Sequence, residues 1–83
     1  MNVELRYFAS IRETIGSGRE SVDTTAPTLA ALRDELIARG GAYAQALARG
    51  RAVRVSLNQT MVDETAALPA GAEVAFFPPV TGG

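Results

Sequence analysis

The first apolar residues of the chain alternate with polar ones, which is the pattern of a β-strand with one buried face. Between residues 2 and 8, the apolar positions of one face are Val3, Leu5 and Tyr7, and we assign this face to the core. Phe8 falls on the opposite, polar face. A large aromatic side chain there is either singly exposed or part of a contact surface.

A helical turn and a second strand are predicted next. Ser10 and Glu13 have the spacing of a capping box, in which the two side chains satisfy free backbone amides at a helix start. The glycines of Gly16-Ser17-Gly18 end this turn. A strand follows from Arg19 to Thr24, with Val22 pointing inward, so the first two strands form a long hairpin.

Helical periodicity predicts the main helix after residue 27. Thr28 follows a proline and suits the N-cap position. The apolar stripe of this helix consists of Leu29, Leu32, Leu36 and Ile37. We assign its charged residues to the solvated face, and these are Arg33, Asp34, Glu35 and Arg39. The pair Gly40-Gly41 ends the helix.

The second half of the chain returns to strand patterns after a short alanine-rich helix or turn at residues 42–49. A strand over residues 53–57, a tight turn at Asn58-Gln59 and a short strand at residues 60–62 follow. Leu68 points inward, and Pro69-Ala70-Gly71 turns the chain into a last strand. An amphipathic helix lying across a mixed sheet buries this pattern most compactly.

The predicted fold is therefore α+β, with five strands in a mixed sheet and one main helix. By analogy, this is the β-grasp arrangement, in which the first and last strands lie side by side as a parallel pair. We predict one β-grasp domain over residues 1–79 and an extended, flexible tail over residues 80–83.

The last eleven residues combine an apolar strand, a stiff break and a glycine end. Strand alternation sends Val74 and Phe76 to one face and Phe77 to the other, so one phenylalanine anchors while the other is displayed. Pro78-Pro79 lacks amide donors, ends the sheet ladder and directs the chain away from the body. Gly82-Gly83 has no side chains, so its carboxylate can enter a narrow channel.

Composition limits what the domain does by itself. A chain of 83 residues buries only about 60% of its unfolded surface, which leaves little room for a deep active site. Cysteine and histidine are absent, and the 8 basic residues nearly balance the 9 acidic ones. We therefore expect neither nucleic-acid binding nor a metal site, and no apolar run predicts a membrane span. The expected location is the cytoplasm.

Three segments together resemble the MoaD family, the small sulfur-carrier subunits of molybdopterin synthase, along nearly the whole chain. The run from Glu73 to Gly83 resembles the C-terminal signature of that family, and Asn58-Gln59-Thr60 matches its internal turn. Tyr7-Phe8-Ala9, followed by Arg12-Glu13 and Gly16, is similar to its first hairpin.

The resemblance implies a ubiquitin-like β-grasp fold whose working group is the carboxylate of Gly83. An ATP-dependent partner similar to MoeB would adenylate Gly83, and sulfur from a partner persulfide would convert it to a thiocarboxylate, 1-thioglycine. A large subunit similar to MoaE would take Gly82 and Gly83 into its active site, in a heterotetramer, and build the molybdopterin dithiolene. The catalytic side chains would belong to that subunit, and the carrier would bind no cofactor.

The resemblance also implies a docking face for these partners around the tail. The residues expected there are Phe8, Arg12, Met61, Phe77, Pro78, Pro79, Val80 and Thr81. For Arg12, an ionic contact to a partner stands beside simple solvation next to Glu13.

Other functions are compatible with the same sequence. A ubiquitin-like modifier joined through Gly83 to lysines of other proteins would need the same activation. A thiamine-pathway sulfur carrier would share the Gly-Gly end, although the Phe-Phe-Pro-Pro run before it argues against that pathway. A passive interaction domain with a frayed end is the remaining alternative.

Overall fold

The computed structural model describes residues 1–79, so the predicted tail and the domain boundary placed at residue 79 remain predictions. Within this range the chain forms five strands and three helices. In chain order they are β1 (Asn2–Tyr7), α1 (Ala9–Ile15), β2 (Arg19–Asp23), α2 (Leu29–Ile37), α3 (Gly41–Leu47), β3 (Arg54–Leu57), β4 (Thr60–Val62) and β5 (Glu73–Phe77). The sequence predicts each of these elements, although α3 begins one residue earlier and ends two residues earlier than expected.

The strands form one mixed sheet in the order β2-β1-β5-β3-β4. β1 pairs parallel with β5, with Leu5 opposite Val74 and Tyr7 opposite Phe76, whereas the other neighbouring strands are antiparallel. The predicted side-by-side pairing of the first and last strands is therefore confirmed, and the topology is that of the β-grasp fold.

The core lies between one face of this sheet and the helices. The inward residues of β1 and β5 are at most 1% exposed, and Tyr7 stacks on Phe76 with ring centroids 6.0 Å apart. The helices contribute Leu29, Leu32, Leu36 and Leu47 to the same cluster. Leu68 is buried as predicted. The alternation of apolar residues in the strands thus identifies the core side of the sheet correctly.

The tight turn between β3 and β4 forms where it was predicted. Asn58 and Gln59 both have positive φ angles, 49° and 70°, a combination that suits a two-residue hairpin turn. Asn58 also ties this turn to the start of β5, because its side-chain oxygen accepts a hydrogen bond from the amide of Glu73 at 2.9 Å. The backbone amide of Asn58 donates in return to the Glu73 carbonyl at 2.8 Å.

The predicted capping box at the start of α1 is wrong. The N-cap of α1 is Phe8, which makes no side-chain capping hydrogen bond, and Ser10 lies inside the first turn. The helix starts earlier because the Phe8 amide still pairs with the Phe76 carbonyl of β5, while the Phe8 carbonyl already accepts from the amides of Ile11 and Arg12. Pairing with β5 therefore decides where this helix begins.

The predicted N-cap of α2 is confirmed, but the assignment of Arg33 to its solvated face is wrong. The hydroxyl of Thr28 accepts a hydrogen bond from the Ala31 amide at 3.1 Å. Arg33, by contrast, is only 3% exposed. It lies four residues after the buried Leu29, and this spacing places it on the apolar stripe rather than opposite it.

The Arg33 guanidinium holds the segment after α3 against α2. Its Nε donates to the Leu47 carbonyl at 2.8 Å, and its Nη2 donates to the carbonyls of Ala48 and Arg51 at 2.8 and 3.1 Å. Its Nη1 pairs with Glu64 at 3.0 Å. One guanidinium thus donates to three backbone carbonyls, of which the Ala48 carbonyl also accepts from the Arg51 amide at 2.8 Å.

A second polar network ties β1 and β2 to α3. The carboxylate of Glu20 accepts hydrogen bonds from Tyr7 at 2.9 Å, Tyr43 at 2.5 Å and Arg39 at 2.9 Å. Partial burial opposes ionisation of Glu20, but these donors outweigh it and lower the pKa of its carboxyl group. Arg39, which was expected only to face solvent, therefore also has a structural contact.

Replacing Arg33 with methionine tests the role of its guanidinium. Arg33→Met keeps a long side chain but removes the donors to the Leu47 and Arg51 carbonyls and the ion pair with Glu64, so we expect the free energy of unfolding to fall by about 3 kcal/mol. Arg51→Met, at an exposed arginine of the same region, should change it by less than about 0.5 kcal/mol. Urea denaturation measures both, and equal losses would contradict the assigned role.

Candidate functional site

The face of the sheet opposite the core carries no helix in residues 1–79. Strand register places Arg6, Ala75, Ser56 and Met61 side by side across β1, β5, β3 and β4. Ala75 and Ser56 are each 4% exposed, although they lie on the open face. Ala75 and Ser56 have small side chains, so they form a flat floor between the longer side chains of Arg6 and Met61.

Two phenylalanines form an aromatic platform beside this floor. Phe8 and Phe77 stack with ring centroids 4.6 Å apart and an angle of 7° between their planes, and both are half-buried. Phe77 is displayed here because its neighbour Phe76 points into the core. Phe8 is held in place because its backbone amide pairs with the Phe76 carbonyl. The arrangement confirms the predicted orientation of both rings.

Met61 and the double proline extend the platform into a shallow apolar groove of about 550 Å³. Met61, on the short edge strand β4, is 52% exposed. The residues that line this groove are Phe8, Ala9, Arg54, Met61, Phe77, Pro78 and Pro79. An exposed apolar surface with a polar rim is typical of a protein contact site.

The chain leaves the sheet at this groove. β5 ends at Phe77, as expected from the missing amide donors of Pro78 and Pro79, and the second proline is exposed. Pro79, the last described residue, therefore lies beside the aromatic platform. The predicted site residues Val80, Thr81, Gly82 and Gly83 lie outside the described residues.

Arg12 is not among the residues that line the groove, and its predicted contact with a partner stays a prediction. It lies exposed on α1, and its guanidinium packs over Gly18, where an added Cβ atom would come within 3.1 Å of Arg12 Nε. The groove instead contains Arg54, which no local sequence pattern indicates. The strand register identifies it, because Arg54 lies opposite Phe77 across β3 and β5.

Apolar side chains and one arginine line the groove, so it is suited to binding another protein. Residues 1–79 contain no group of three or more acidic, histidine or cysteine side chains that could hold a metal ion. No helix in the part of the chain that the structure describes could cross a bilayer.

Comparison with known proteins places the chain in a family. The model of the ThiS family matches residues 5–83. The chain belongs to the ThiS family. The molybdopterin synthase sulfur carrier subunit of Escherichia coli K12 is 41% identical over 81 residues, which cover 98% of this chain and 99% of that relative. The subunit of the same name from Haemophilus influenzae is 40% identical over 93% of this chain and 94% of its own.

Solved structures resemble this ThiS-family chain over its full length. The crystal structure of SAMP1 from Haloferax volcanii superposes with a TM-score of 0.77 at 30% identity, and the match covers 100% of both chains. A chain in the protein–protein complex of subunits 1 and 2 of the molybdopterin-converting factor from Helicobacter pylori matches with a TM-score of 0.69 at 25% identity, again over 100% of both chains. These likenesses confirm the ubiquitin-like β-grasp fold of this family member.

Adjacent phenylalanines with opposite orientations provide a test of the two faces. Phe76→Ala removes a fully buried ring and should lower the free energy of unfolding by about 3–5 kcal/mol. Phe77→Ala removes a half-buried ring and its stacking on Phe8, for which we expect a loss of about 1 kcal/mol. Chemical denaturation of both variants, followed by circular dichroism, measures the two losses of unfolding free energy. A larger loss for Phe77→Ala would reverse the assignment of the faces.

Proposed function

We propose that the chain is a sulfur carrier of molybdenum cofactor biosynthesis and acts as the small subunit of a molybdopterin synthase. The observation that carries the proposal is the identity of about 40% to two sulfur carrier subunits of that synthase over at least 93% of the chain. The geometry agrees with it, because Pro78 and Pro79, which follow the last strand, line an apolar groove suited to a partner protein.

The reacting group in this proposal is the carboxylate of Gly83. A free α-carboxyl group has a pKa of about 3.3 to 3.7, so it is ionised at neutral pH and reacts poorly with nucleophiles. An adenylating partner similar to MoeB would solve this problem. The carboxylate attacks the α-phosphate of ATP, pyrophosphate leaves, and the resulting acyl adenylate has AMP as a good leaving group.

Sulfur then enters from a persulfide on a donor protein. Its terminal sulfur attacks the acyl carbon and releases AMP, which leaves an acyl disulfide between carrier and donor. A thiol attacks the donor's sulfur and forms a disulfide with the donor, so the sulfur–sulfur bond to the carrier breaks and the carrier is released with a thiocarboxylate on Gly83. Since the first step consumes ATP, we assign the whole cycle to the cytoplasm.

The large subunit would use the thiocarboxylate in its own active site. The Helicobacter pylori relative is described in a complex of subunits 1 and 2 of the molybdopterin-converting factor, which supports a two-subunit assembly for this chain. In our proposal, Phe8, Met61 and Phe77 contact the large subunit, and Pro78-Pro79 directs the last residues into it. The large subunit would supply the catalytic side chains, and the assembly would be a heterotetramer.

A second candidate function is a ubiquitin-like modifier, and one observation favours it. SAMP1 of Haloferax volcanii is 30% identical to the chain, and the solved structure of a protein from the same organism carries the full name small archaeal modifier protein 1. Conjugation to lysines would use the same acyl adenylate. A thiamine-pathway carrier would also use it but would deliver sulfur to a different enzyme.

Mass spectrometry separates these functions. The purified chain, incubated with the adenylating enzyme of its own organism, ATP and a persulfide donor, should gain the mass difference of one oxygen-to-sulfur exchange on Gly83. The gain should disappear when ATP is omitted or when Gly83 is deleted. An unchanged mass with all components present would contradict the sulfur-carrier proposal. Isopeptide-linked Gly83 on lysines of cellular proteins would instead support the modifier.

A further inference from the structure

Three arginines on the helical side are ion-paired, since Arg33, Arg39 and Arg49 form salt bridges with acidic side chains at 2.8 to 3.0 Å. The arginines without a salt bridge to residues 1–79 are Arg12 and Arg51 on the helical side and Arg6, Arg19 and Arg54 on the open face. The positions of the three open-face arginines are therefore not explained by ion pairs within the described residues.

The positions of the open-face arginines are unfavourable for the isolated domain. Arg6 on β1 lies directly opposite Arg19 on β2, and like charges in such cross-strand pairs repel each other. The Nε atom of Arg6 is buried and has no hydrogen-bond partner among the described residues. A buried donor without an acceptor is costly, so an acceptor from outside the domain would relieve it.

The same arginines border the apolar surface described above. The Arg6 guanidinium lies over the Phe8 ring, 5.2 Å from its centroid. Arg54 lies opposite Phe77 and lines the groove with Met61. Charge along the strands is separated rather than alternating, because Glu4 and Glu73 face each other two residues further from the tail. The cations are thus concentrated at the end of the sheet from which the tail leaves.

From this arrangement we infer that Arg6, Arg19 and Arg54 form a cationic rim that selects a protein partner with carboxylates around an apolar contact. The partner that we expect on this surface is the large synthase subunit, so the inference rests on the proposed function. Aspartate or glutamate side chains of that subunit would pair with the rim while its apolar groups cover Phe8, Phe77 and Met61. Such charges at the edge of an interface act mainly on association rate and salt dependence.

The test is the dissociation constant of the carrier and its own large subunit, measured by titration calorimetry at several sodium chloride concentrations. Arg6→Gln, Arg19→Gln and Arg54→Gln should together weaken binding about tenfold at low salt, the sum of three modest ion pairs. The difference should shrink to less than about twofold at 0.5 M salt, where charges are screened. Arg49→Gln removes one positive charge from the helical side, as each of the three substitutions does from the open face, and should leave the dissociation constant unchanged.

The Phe77→Ala variant distinguishes a failure of this inference from a failure of the proposed function. It should weaken binding at every salt concentration, because its contact is apolar. If Phe77→Ala weakens binding while the triple variant binds like the wild type at all salt concentrations, the cationic rim is refuted and the proposed function stands. Absence of wild-type binding at any salt concentration would refute both.

Two further outcomes would refute the inference. An effect of Arg49→Gln equal to that of the triple variant would refute the rim, since the effect would then reflect net charge alone. Tighter wild-type binding to a single-stranded RNA than to the large subunit would refute the choice of a protein partner. Circular dichroism checks folding first, and the single Arg54→Gln variant carries the test if the triple variant is unfolded.

Discussion

The parallel pairing of β1 with β5 is the constraint on which the rest of the structure depends. It places Tyr7 opposite Phe76 in the core and brings Phe8 next to Phe77 on the open face. Side chains alternate along a strand, so a slip of one residue would bury Phe77 and expose Phe76. The same slip would move the exit of the C-terminal segment away from the groove. Fold and candidate site therefore depend on one register.

Much of this arrangement is contained in local sequence patterns. Period-two alternation identifies the buried residues of β1 and β5, Thr28 identifies the start of α2, and Asn58-Gln59 identifies the hairpin turn. These features succeed because each depends on a few consecutive residues. The orientation of Phe8 and Phe77 follows from the same alternation, so most of the apolar surface was predictable. The last four residues of the site stay predictions.

The errors arise where distant segments decide the outcome. α1 has its N-cap at Phe8 because β5 holds that residue, and the capping-box spacing of Ser10 and Glu13 cannot report a strand that begins 60 positions after Glu13. Arg33 was assigned to solvent because it is charged, although its spacing from Leu29 placed it on the buried stripe. Arg54 joins the site through its pairing with Phe77, which only the sheet register reveals. Charge is a weak guide to exposure when carbonyl groups are available as acceptors.

The central claim is that the domain positions and presents a terminal carboxylate that other proteins activate and use. The most direct measurement is molybdoenzyme activity in cells whose own copy is replaced by a chain lacking Gly83, with immunoblots to confirm equal abundance. The account predicts that activity is lost and that the full-length chain restores it. Normal activity with the shortened chain would contradict the account.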